Sequence, residues 1–322
     1  MLSGIKSIYN DIRQKSHFWG LLNGLRMVLF PRVHEKIFGL SNPRKHNQVI
    51  MEMLRKEWAP IVERYRNTEH GKAQPITSET PIWVCWWQGE DGMPEMTHKC
   101  YELLLENSNG HPVHLITQDN YSDFVDLPAN IIECVEKKFI SFIFLSDLLR
   151  TSLIAKYGGI WIDSSYWLTQ PLDVNGLRLF TYRQDRFKGQ GGINDFNWTC
   201  HLIGTGAPFY IFDFLRDCLL MHVSKHQKIV DYLLIDFAIN MAYESFEDFR
   251  ALIDALPDHK PHIYLMPWLF NQKLDEANLK EILETTPLLK LSYKLNQPNY
   301  VRRTPTGERT YYDWFISQEI KK

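Results

Sequence analysis

The sequence has little excess of either charge, and this excludes one broad class of function. Its 36 lysine and arginine residues nearly balance 38 aspartate and glutamate residues, giving a formal net charge of -2 at pH 7. A protein that holds a nucleic-acid backbone generally presents a basic surface. We therefore expect no nucleic-acid partner.

Cysteine is scarce, and no two cysteines have the Cys-x-x-Cys spacing of a zinc knuckle or redox site. The five residues are Cys85, Cys100, Cys134, Cys200 and Cys218. Scattered cysteines of this kind favour reduced thiols in the cytosol. The first residues also lack the apolar core and cleavage site of a signal peptide. We therefore expect a cytoplasmic protein.

No apolar run is long enough to span a bilayer. The most apolar early stretch, residues 18–30, is shorter than the roughly 20 residues that a transmembrane helix requires. Residues 1–45, however, carry eight basic side chains and two acidic ones, with aromatic and aliphatic residues between them. We predict either contact with anionic lipid at the inner face of the cell membrane, or a helical hairpin packed on the main domain.

Several common catalytic motifs are also absent. The sequence has no GxSxG element, which argues against a serine hydrolase of that type. It has no HExxH motif, and we identify no closely spaced helical histidine pair, so we expect no histidine-ligated zinc.

Alternating strand and helix patterns begin after a polar, proline-containing boundary near residues 67–80. Residues 81–87 suit a buried strand, 97–107 a helix and 112–117 a second strand. This order predicts a parallel βαβ unit, in which ligands bind beyond the carboxyl ends of the strands. We therefore divide the chain into a helical N-terminal region, residues 1–75, and an α/β domain, residues 76–322.

The candidate site lies where a predicted helix, residues 140–157, is followed by a predicted strand, residues 160–162. Gly158 is placed to end the helix, and the strand ends at Asp163. A carboxylate there, with the hydroxyl of Ser165 two residues later, offers oxygen ligands to a hard cation.

Asp147 and Arg150 lie three residues apart on the same helix and can therefore meet on one face. An arginine can bind phosphate or sugar oxygens, and an aspartate can accept hydrogen bonds from sugar hydroxyls. Each feature also has a structural explanation, because an Asp147–Arg150 pair can simply stabilise the helix and Asp163 can cap a turn.

The stretch 144–172, with Asp147, Arg150 and Asp163, resembles the signature of glycosyltransferases that carry the sugar-binding DXD region. The similarity is closest to the bacterial capsular polysaccharide synthesis branch. Residues 86–89 and 290–294 fit the family's first strand and its C-terminal element, so the resemblance covers residues 81–294.

The resemblance implies a GT-A type fold, which is a Rossmann-like α/β fold with a mostly parallel central sheet and flanking helices. It further implies a nucleoside-diphosphate sugar donor such as UDP-glucose or UDP-galactose, a divalent metal, Mn²⁺ or Mg²⁺, and transfer of a hexose with retention of configuration. The implied acceptor is a saccharide, a lipid-linked oligosaccharide in capsular or exopolysaccharide synthesis.

Carried over by position, the donor-binding residues would be Trp86, Trp87, Gln88, Asp147, Arg150, Asp163, Lys290 and Lys294. One tryptophan would stack near the base, and we favour Trp87 because neighbouring side chains on a strand face opposite ways. The metal ligands would be Asp163 and Ser165. Ser165 stands where the family has a second aspartate, so the metal site loses a formal charge.

No catalytic nucleophile is assigned from the sequence. A retaining transfer needs either a carboxylate nucleophile or departure and attack on the same face of the sugar. Asp231 and Asp236, in a predicted apolar helix at residues 228–244, could bind the acceptor or form buried hydrogen bonds. Two other functions remain open: a catalytically silent carbohydrate-binding protein with a decayed metal site, and a metal-dependent nucleotidyltransferase.

Overall fold

The computed structural model describes residues 43–183, 192–193, 197–257, 263–292 and 300–320. Within these ranges the strands are β1 (Ile82–Cys85), β2 (Val113–Ile116), β3 (Gly159–Ile162), β4 (Tyr166–Leu168), β5 (Phe180–Thr181), β6 (Leu202–Thr205) and β7 (Leu288–Lys290). The helices are α1 (Pro43–Arg66), α2 (Glu95–Glu106), α3 (Tyr121–Phe124), α4 (Ala129–Glu136), α5 (Phe142–Tyr157), α6 (Tyr210–His226), α7 (Leu234–Ser245), α8 (Glu247–Asp254), α9 (Met266–Leu269), α10 (Glu276–Thr285) and α11 (Tyr311–Ile316).

The five-stranded central sheet has the order β2-β1-β3-β6-β5. Strand β1 pairs in parallel with both β2 and β3, while β6 is antiparallel to β3 and to β5. Four of the five strands therefore run in one direction and β6 runs in the other. This confirms the mixed α/β fold with a mostly parallel central sheet and flanking helices, including the parallel unit β1-α2-β2.

Side chains alternate across this sheet and supply cores on both of its faces. Trp83 of β1, Trp161 of β3 and Ile203 of β6 pack with the large core that includes helices α1, α5, α6 and α7. Ile82 and Ile160, each one position earlier on its strand, belong to the core on the other face. Because both faces are buried, the strands read as continuous apolar runs.

The junction between α5 and β3 requires glycine. Gly158 has φ 70° and Gly159 has φ 107°, conformations that side chains with a Cβ rarely adopt. A Cβ on Gly159 would lie 2.2 Å from Nε1 of Trp83, and one on Gly158 would lie 2.6 Å from the Ala207 backbone. The two glycines thus let the chain turn from α5 into β3, with Gly159 packed against Trp83 of β1 and Gly158 against the Ala207 backbone.

One predicted helix is wrong at its start. Residues 228–244 were expected to be helical, but α7 begins only at Leu234. Asp231 lies before it, and its Oδ1 accepts a hydrogen bond from the Leu233 N–H at 3.0 Å. Such a local side-chain contact competes with helix formation, so Asp231 lies in a turn.

A buried hydrogen-bond network connects α1 to α6, and we call Glu57, His222 and His226 the Glu57 network. The Glu57 carboxylate accepts hydrogen bonds from His222 Nδ1 and from His226 Nε2, each at 2.7 Å. Burial alone would raise the pKa of Glu57, but the two histidines outweigh it and lower that pKa to about 2. The expectation that no closely spaced helical histidine pair exists is wrong, because His222 and His226 lie four residues apart on α6.

The tautomer of His222 follows from its second nitrogen. The Val230 N–H donates to His222 Nε2 at 3.3 Å, so Nε2 is an acceptor and Nδ1 carries the proton that Glu57 accepts. Both imidazoles therefore present N–H groups to Glu57. In this arrangement the three residues form a satisfied hydrogen-bond network that fastens two helices together.

Within the described ranges, no helix combines the length and the apolar character needed to cross a bilayer. Residues 1–42, which carry most of the predicted membrane-contacting region, lie outside the described residues. The described part of the N-terminal region consists of the long helix α1 and the non-helical segment 67–75 that follows it.

Candidate functional site

The parallel pairing of β1 and β3 brings two loops to one edge of the sheet. Ile82 lies opposite Ile160 and Trp83 opposite Trp161, so both strands end at the carboxyl edge. The antiparallel strand β6 starts at that same edge, where the Asp163 N–H donates to the His201 carbonyl at 3.1 Å.

The two-stranded sheet formed by β4 and β7 brings in a lysine from far along the chain. Tyr166 of β4 lies opposite Lys290 of β7, and the Leu291 N–H donates to the Ser165 carbonyl at 2.9 Å. The Lys290 ammonium consequently donates to Asp163 Oδ2 and to Ser165 Oγ, each at 2.8 Å. The predicted residues Asp163, Ser165 and Lys290 are thus in direct contact.

The other oxygen of Asp163 is also engaged. Its Oδ1 accepts hydrogen bonds from Trp161 Nε1 at 2.8 Å and from Arg150 Nη2 at 3.3 Å. Burial alone would raise the pKa of Asp163, but the charges of Lys290 and Arg150 outweigh it and hold that pKa below its ordinary range. Asp163 is therefore ionised, with two cations beside it.

Arg150 is almost fully buried, with 4% of its surface exposed. Its Nη1 donates to the Cys200 carbonyl at 2.6 Å and lies 3.3 Å from Asp147 Oδ1, so the predicted Asp147–Arg150 contact exists. Its guanidinium lies 5.0 Å from the centre of the Trp161 ring. The Arg150 Nε is buried and has no hydrogen-bond partner among the described residues. An unsatisfied buried donor is costly.

Two further acids lie behind Arg150. Burial raises the pKa of Asp147 to about 7, against the opposing charge of Arg150. Burial likewise raises the pKa of Asp236 to about 6, and its Oδ2 lies 3.5 Å from the Cys200 thiol. Neither carboxylate lines the cavity beside Asp163. Asp231, in the turn before α7, contacts His46 at 3.3 Å.

A cavity of about 650 Å³ opens beside these groups, a volume typical of small-molecule sites. It is lined by Cys85, Trp86, Trp87, Gln88, Pro94, Phe142, Ile143, Ser146, Arg150, Trp161, Asp163, Ser164, Ser165, Tyr232, Tyr264, Lys290, Leu291 and Ser292. Asp163 is the one acidic side chain among these described lining residues.

The two tryptophans follow β1, which ends at Cys85, and they alternate faces as expected: Trp86 packs against the core that contains Ile82, and Trp87 against the core that contains Trp83. Both line the cavity, together with Gln88. The Trp86 indole donates to the Gly92 carbonyl at 3.0 Å, while the Trp87 ring packs near Tyr121 at 5.3 Å. Which ring contacts a base therefore stays a prediction.

His201 was not predicted from the sequence, and it lies between two tyrosines next to the site. Its Nδ1 lies 2.8 Å from the Tyr166 hydroxyl and its Nε2 lies 2.9 Å from the Tyr264 hydroxyl. Burial, with help from Lys290, lowers the pKa of His201 to about 3, so the imidazole is neutral. No local motif surrounds His201, so only the fold could identify it.

Of the predicted site residues, Trp86, Trp87, Gln88, Arg150, Asp163, Ser165 and Lys290 line one cavity. Asp147 reaches that cavity only through Arg150, and Lys294 lies outside the described residues. The roles assigned to these residues stay predictions.

The fold and the cavity together define a mixed α/β protein whose ligand site lies at the carboxyl edge of its sheet, with two cations around one carboxylate. The chain belongs to the capsular polysaccharide synthesis protein family, whose model matches residues 34–313. A comparison with curated proteins gave no match. Among solved structures, it is similar to one described as "PaToxG Glycosyltransferase", with 12% identity over 74% of this chain and 96% of that one, at a TM-score of 0.36.

Proposed function

We propose that this chain is a glycosyltransferase of capsular polysaccharide synthesis that moves a hexose from a nucleoside-diphosphate sugar to a saccharide acceptor. Membership of the capsular polysaccharide synthesis family supports the assignment to capsule synthesis. The observation that carries the activity is the convergence of Arg150 and Lys290 on Asp163 in the wall of a ligand-sized cavity. The GT-A type of fold belongs to the same proposal.

Two cations suit the leaving group of this reaction. When the bond from the anomeric carbon to the phosphate oxygen breaks, the electron pair stays on the β-phosphate. Positive groups held in place before the reaction stabilise that charge without reorganisation. Lys290 and Arg150 are held in this way, because both contact Asp163 and both line the cavity.

Other residues that line the cavity can bind the sugar, the ribose and the base of the donor. The Asp163 carboxylate can accept hydrogen bonds from sugar or ribose hydroxyls, and an indole of Trp86 or Trp87 can stack on a base. We propose UDP-glucose or UDP-galactose as the donor, with Gln88 and Lys294 as further contacts and Asp147 acting through Arg150.

We propose that the configuration is retained because the acceptor attacks the sugar from the same face that the leaving group departs from. The positions of the described acidic residues favour this route over one with a carboxylate nucleophile. Asp163 is the one described acid in the cavity wall, and two cations already bind its oxygens. In the same-face route the acceptor oxygen bonds to the anomeric carbon while its proton passes to the departing phosphate oxygen. Asp231 and Asp236 gain no support as nucleophiles, since neither lines the cavity.

We propose a lipid-linked acceptor, presented at the inner face of the cell membrane. Three apolar side chains that line the cavity, Phe142, Ile143 and Tyr232, are 51%, 38% and 64% exposed. The basic and aromatic residues before Lys45 add a second reason for membrane contact. Flotation with anionic vesicles should decrease when residues 1–42 are deleted, and unchanged flotation would refute the contact.

The donor assignment is tested with the purified full chain and a panel of nucleotide sugars. We expect hydrolysis of UDP-glucose or UDP-galactose, abolished by Asp163→Ala and retained by Asp123→Ala, a matched change on an exposed turn of α3. Binding without turnover would favour the silent carbohydrate-binding protein. Pyrophosphate release from a nucleoside triphosphate would favour the nucleotidyltransferase, and neither binding nor turnover would refute all three.

A further inference from the structure

The family resemblance implies a divalent metal, and its ligands would be oxygen atoms of Asp163 and Ser165. In this structure a protein cation already lies between them. Lys290 Nζ is 2.8 Å from Asp163 Oδ2 and 2.8 Å from Ser165 Oγ. The second carboxylate oxygen, Oδ1, accepts from Trp161 and Arg150. Both oxygens of the one anionic ligand therefore already accept hydrogen bonds from cations or donors of the chain itself.

The surrounding residues do not make up the missing ligands. Mg²⁺ and Mn²⁺ take about six oxygen ligands, usually including carboxylates. Among the described residues, the single group of three histidine, cysteine, aspartate or glutamate side chains close enough to share an ion is the Glu57 network, not Asp163. The donor set at Asp163 thus does not fit a divalent ion, because it pairs one carboxylate and one hydroxyl with two resident cations.

Lys290 is held in this position by its backbone and by its stem. Its N–H donates to the Ile263 carbonyl at 2.7 Å, and β7 pairs in register with β4 beside it. The ammonium lies 5.1 Å from the centre of the Tyr166 ring, which favours a cation there. The Lys290 side chain is 15% exposed, so most of it is shielded from water. The position is thus built around a fixed ammonium.

We infer that the Lys290 ammonium takes the place of the divalent metal, and that this chain binds its nucleoside diphosphate and transfers the sugar without one. The inference rests on the proposed function. As the bond to the anomeric carbon breaks, the electron pair stays on the β-phosphate oxygen. Lys290 keeps its proton and donates a hydrogen bond to that oxygen, while Arg150 supplies the second positive charge. An ammonium has three N–H groups, and Asp163 and Ser165 use two of them.

The serine at position 165 has a reason in this arrangement. A second carboxylate there would place another negative charge beside Asp163 and would favour a dication over an ammonium. A hydroxyl accepts the Lys290 hydrogen bond without adding charge. Ser165 therefore fits a site in which an ammonium is the resident cation.

The direct test measures UDP binding to the full chain by calorimetry, first in EDTA and then with excess Mn²⁺. We expect the two dissociation constants to agree within about threefold. Binding that is lost in EDTA and restored by Mn²⁺ would overturn the inference while leaving the proposed function standing. No UDP binding in either condition would overturn both.

Variants sharpen the same measurement. Lys290→Ala should weaken UDP binding at least about tenfold in a way that Mn²⁺ does not restore, because a charged hydrogen bond is lost. Lys280→Ala, on the exposed side of α10, is the matched control and should change nothing. The double variant Ser165→Asp with Lys290→Ala should bind UDP only with Mn²⁺, since it recreates a two-carboxylate site. Mn²⁺ rescue of Lys290→Ala alone would contradict the inference.

Discussion

Asp163 and Glu57 are both ionised carboxylates bound by nitrogen donors, but they differ in what surrounds them. The Glu57 side chain is 2% exposed and lies between α1 and α6, where two histidines satisfy it. The Asp163 side chain is 28% exposed and lines a cavity of about 650 Å³ with Lys290 and Arg150. The first site is closed to ligands and the second is open to them.

The difference in charge is as informative as the difference in access. At Glu57 the buried partners are imidazoles, and Lys225, the one ammonium in contact among the described residues, is 56% exposed. At Asp163 two cations converge, and a buried Arg150 nitrogen has no partner among the described residues. Glu57 therefore contributes to stability, whereas Asp163 keeps two cations available for an anionic ligand.

The largest expected effect separates the two carboxylates by activity. Asp163→Asn keeps the shape of the side chain but removes the charge that positions Lys290 and Arg150. We expect turnover of the nucleotide sugar to fall at least about 100-fold, as when a transition-state contact is removed. Turnover assays on equal amounts of folded protein provide the measurement, with Asp123→Asn as the control. Wild-type turnover in Asp163→Asn would show that the Asp163 charge is not needed for activity.

The converse prediction concerns stability. Glu57→Gln leaves buried histidine N–H groups with a weaker acceptor, and we expect the free energy of unfolding to fall by about 3 kcal/mol. Urea unfolding followed by circular dichroism provides the measurement. Turnover per folded molecule should stay unchanged. Loss of turnover without loss of stability would mean that the Glu57 network acts on the cavity.

The pH dependence of stability sharpens the same contrast. Glu57 has a pKa of about 2 when folded and an ordinary value of 4.5, so its contribution is present above pH 4.5 and is lost as the pH falls towards 2. Burial also lowers the pKa of His222, so the unfolded chain takes up its proton first as the pH falls below 6.5. Stability should therefore decrease on acidification, and Glu57→Gln should flatten the part between pH 4.5 and 2. Parallel curves for the two proteins would contradict this.

The smallest expected effect concerns Lys225, an exposed lysine that contacts the Glu57 network. Lys225 lies 3.3 Å from Glu57, but with more than half of its side chain in water it should contribute less than about 1 kcal/mol. Thermal unfolding of Lys225→Ala tests this at low and high salt. A larger loss would mean that the network depends on an ammonium, as the Asp163 site does.

The sequence predicted the parts of the fold that depend on neighbouring residues. Strand β1, helix α2 and strand β2 follow one another within 35 residues, and their apolar runs and polar breaks were sufficient to identify them. Strands β4 and β7 were not identified. Each has three residues, and they pair across more than a hundred positions, so no local pattern marks them.

In the candidate site, too, the sequence predicted contacts between nearby residues but not contacts between distant ones. Asp147 and Arg150 meet because they are three residues apart on a helix, which the spacing predicted. The contact of Lys290 with Asp163 spans 127 positions, so helix and strand periodicity could not indicate it. The His222–His226 pair had a sequence signal, four-residue spacing on a helix, that was overlooked.

The central claim is that a nucleoside diphosphate binds where Lys290 and Arg150 converge on Asp163. A crystal structure of the full chain with UDP tests it most directly. We predict that diphosphate oxygens lie within about 3.2 Å of Lys290 Nζ and of the Arg150 guanidinium, with the base beside Trp86 or Trp87. A diphosphate bound away from both cations would contradict the account.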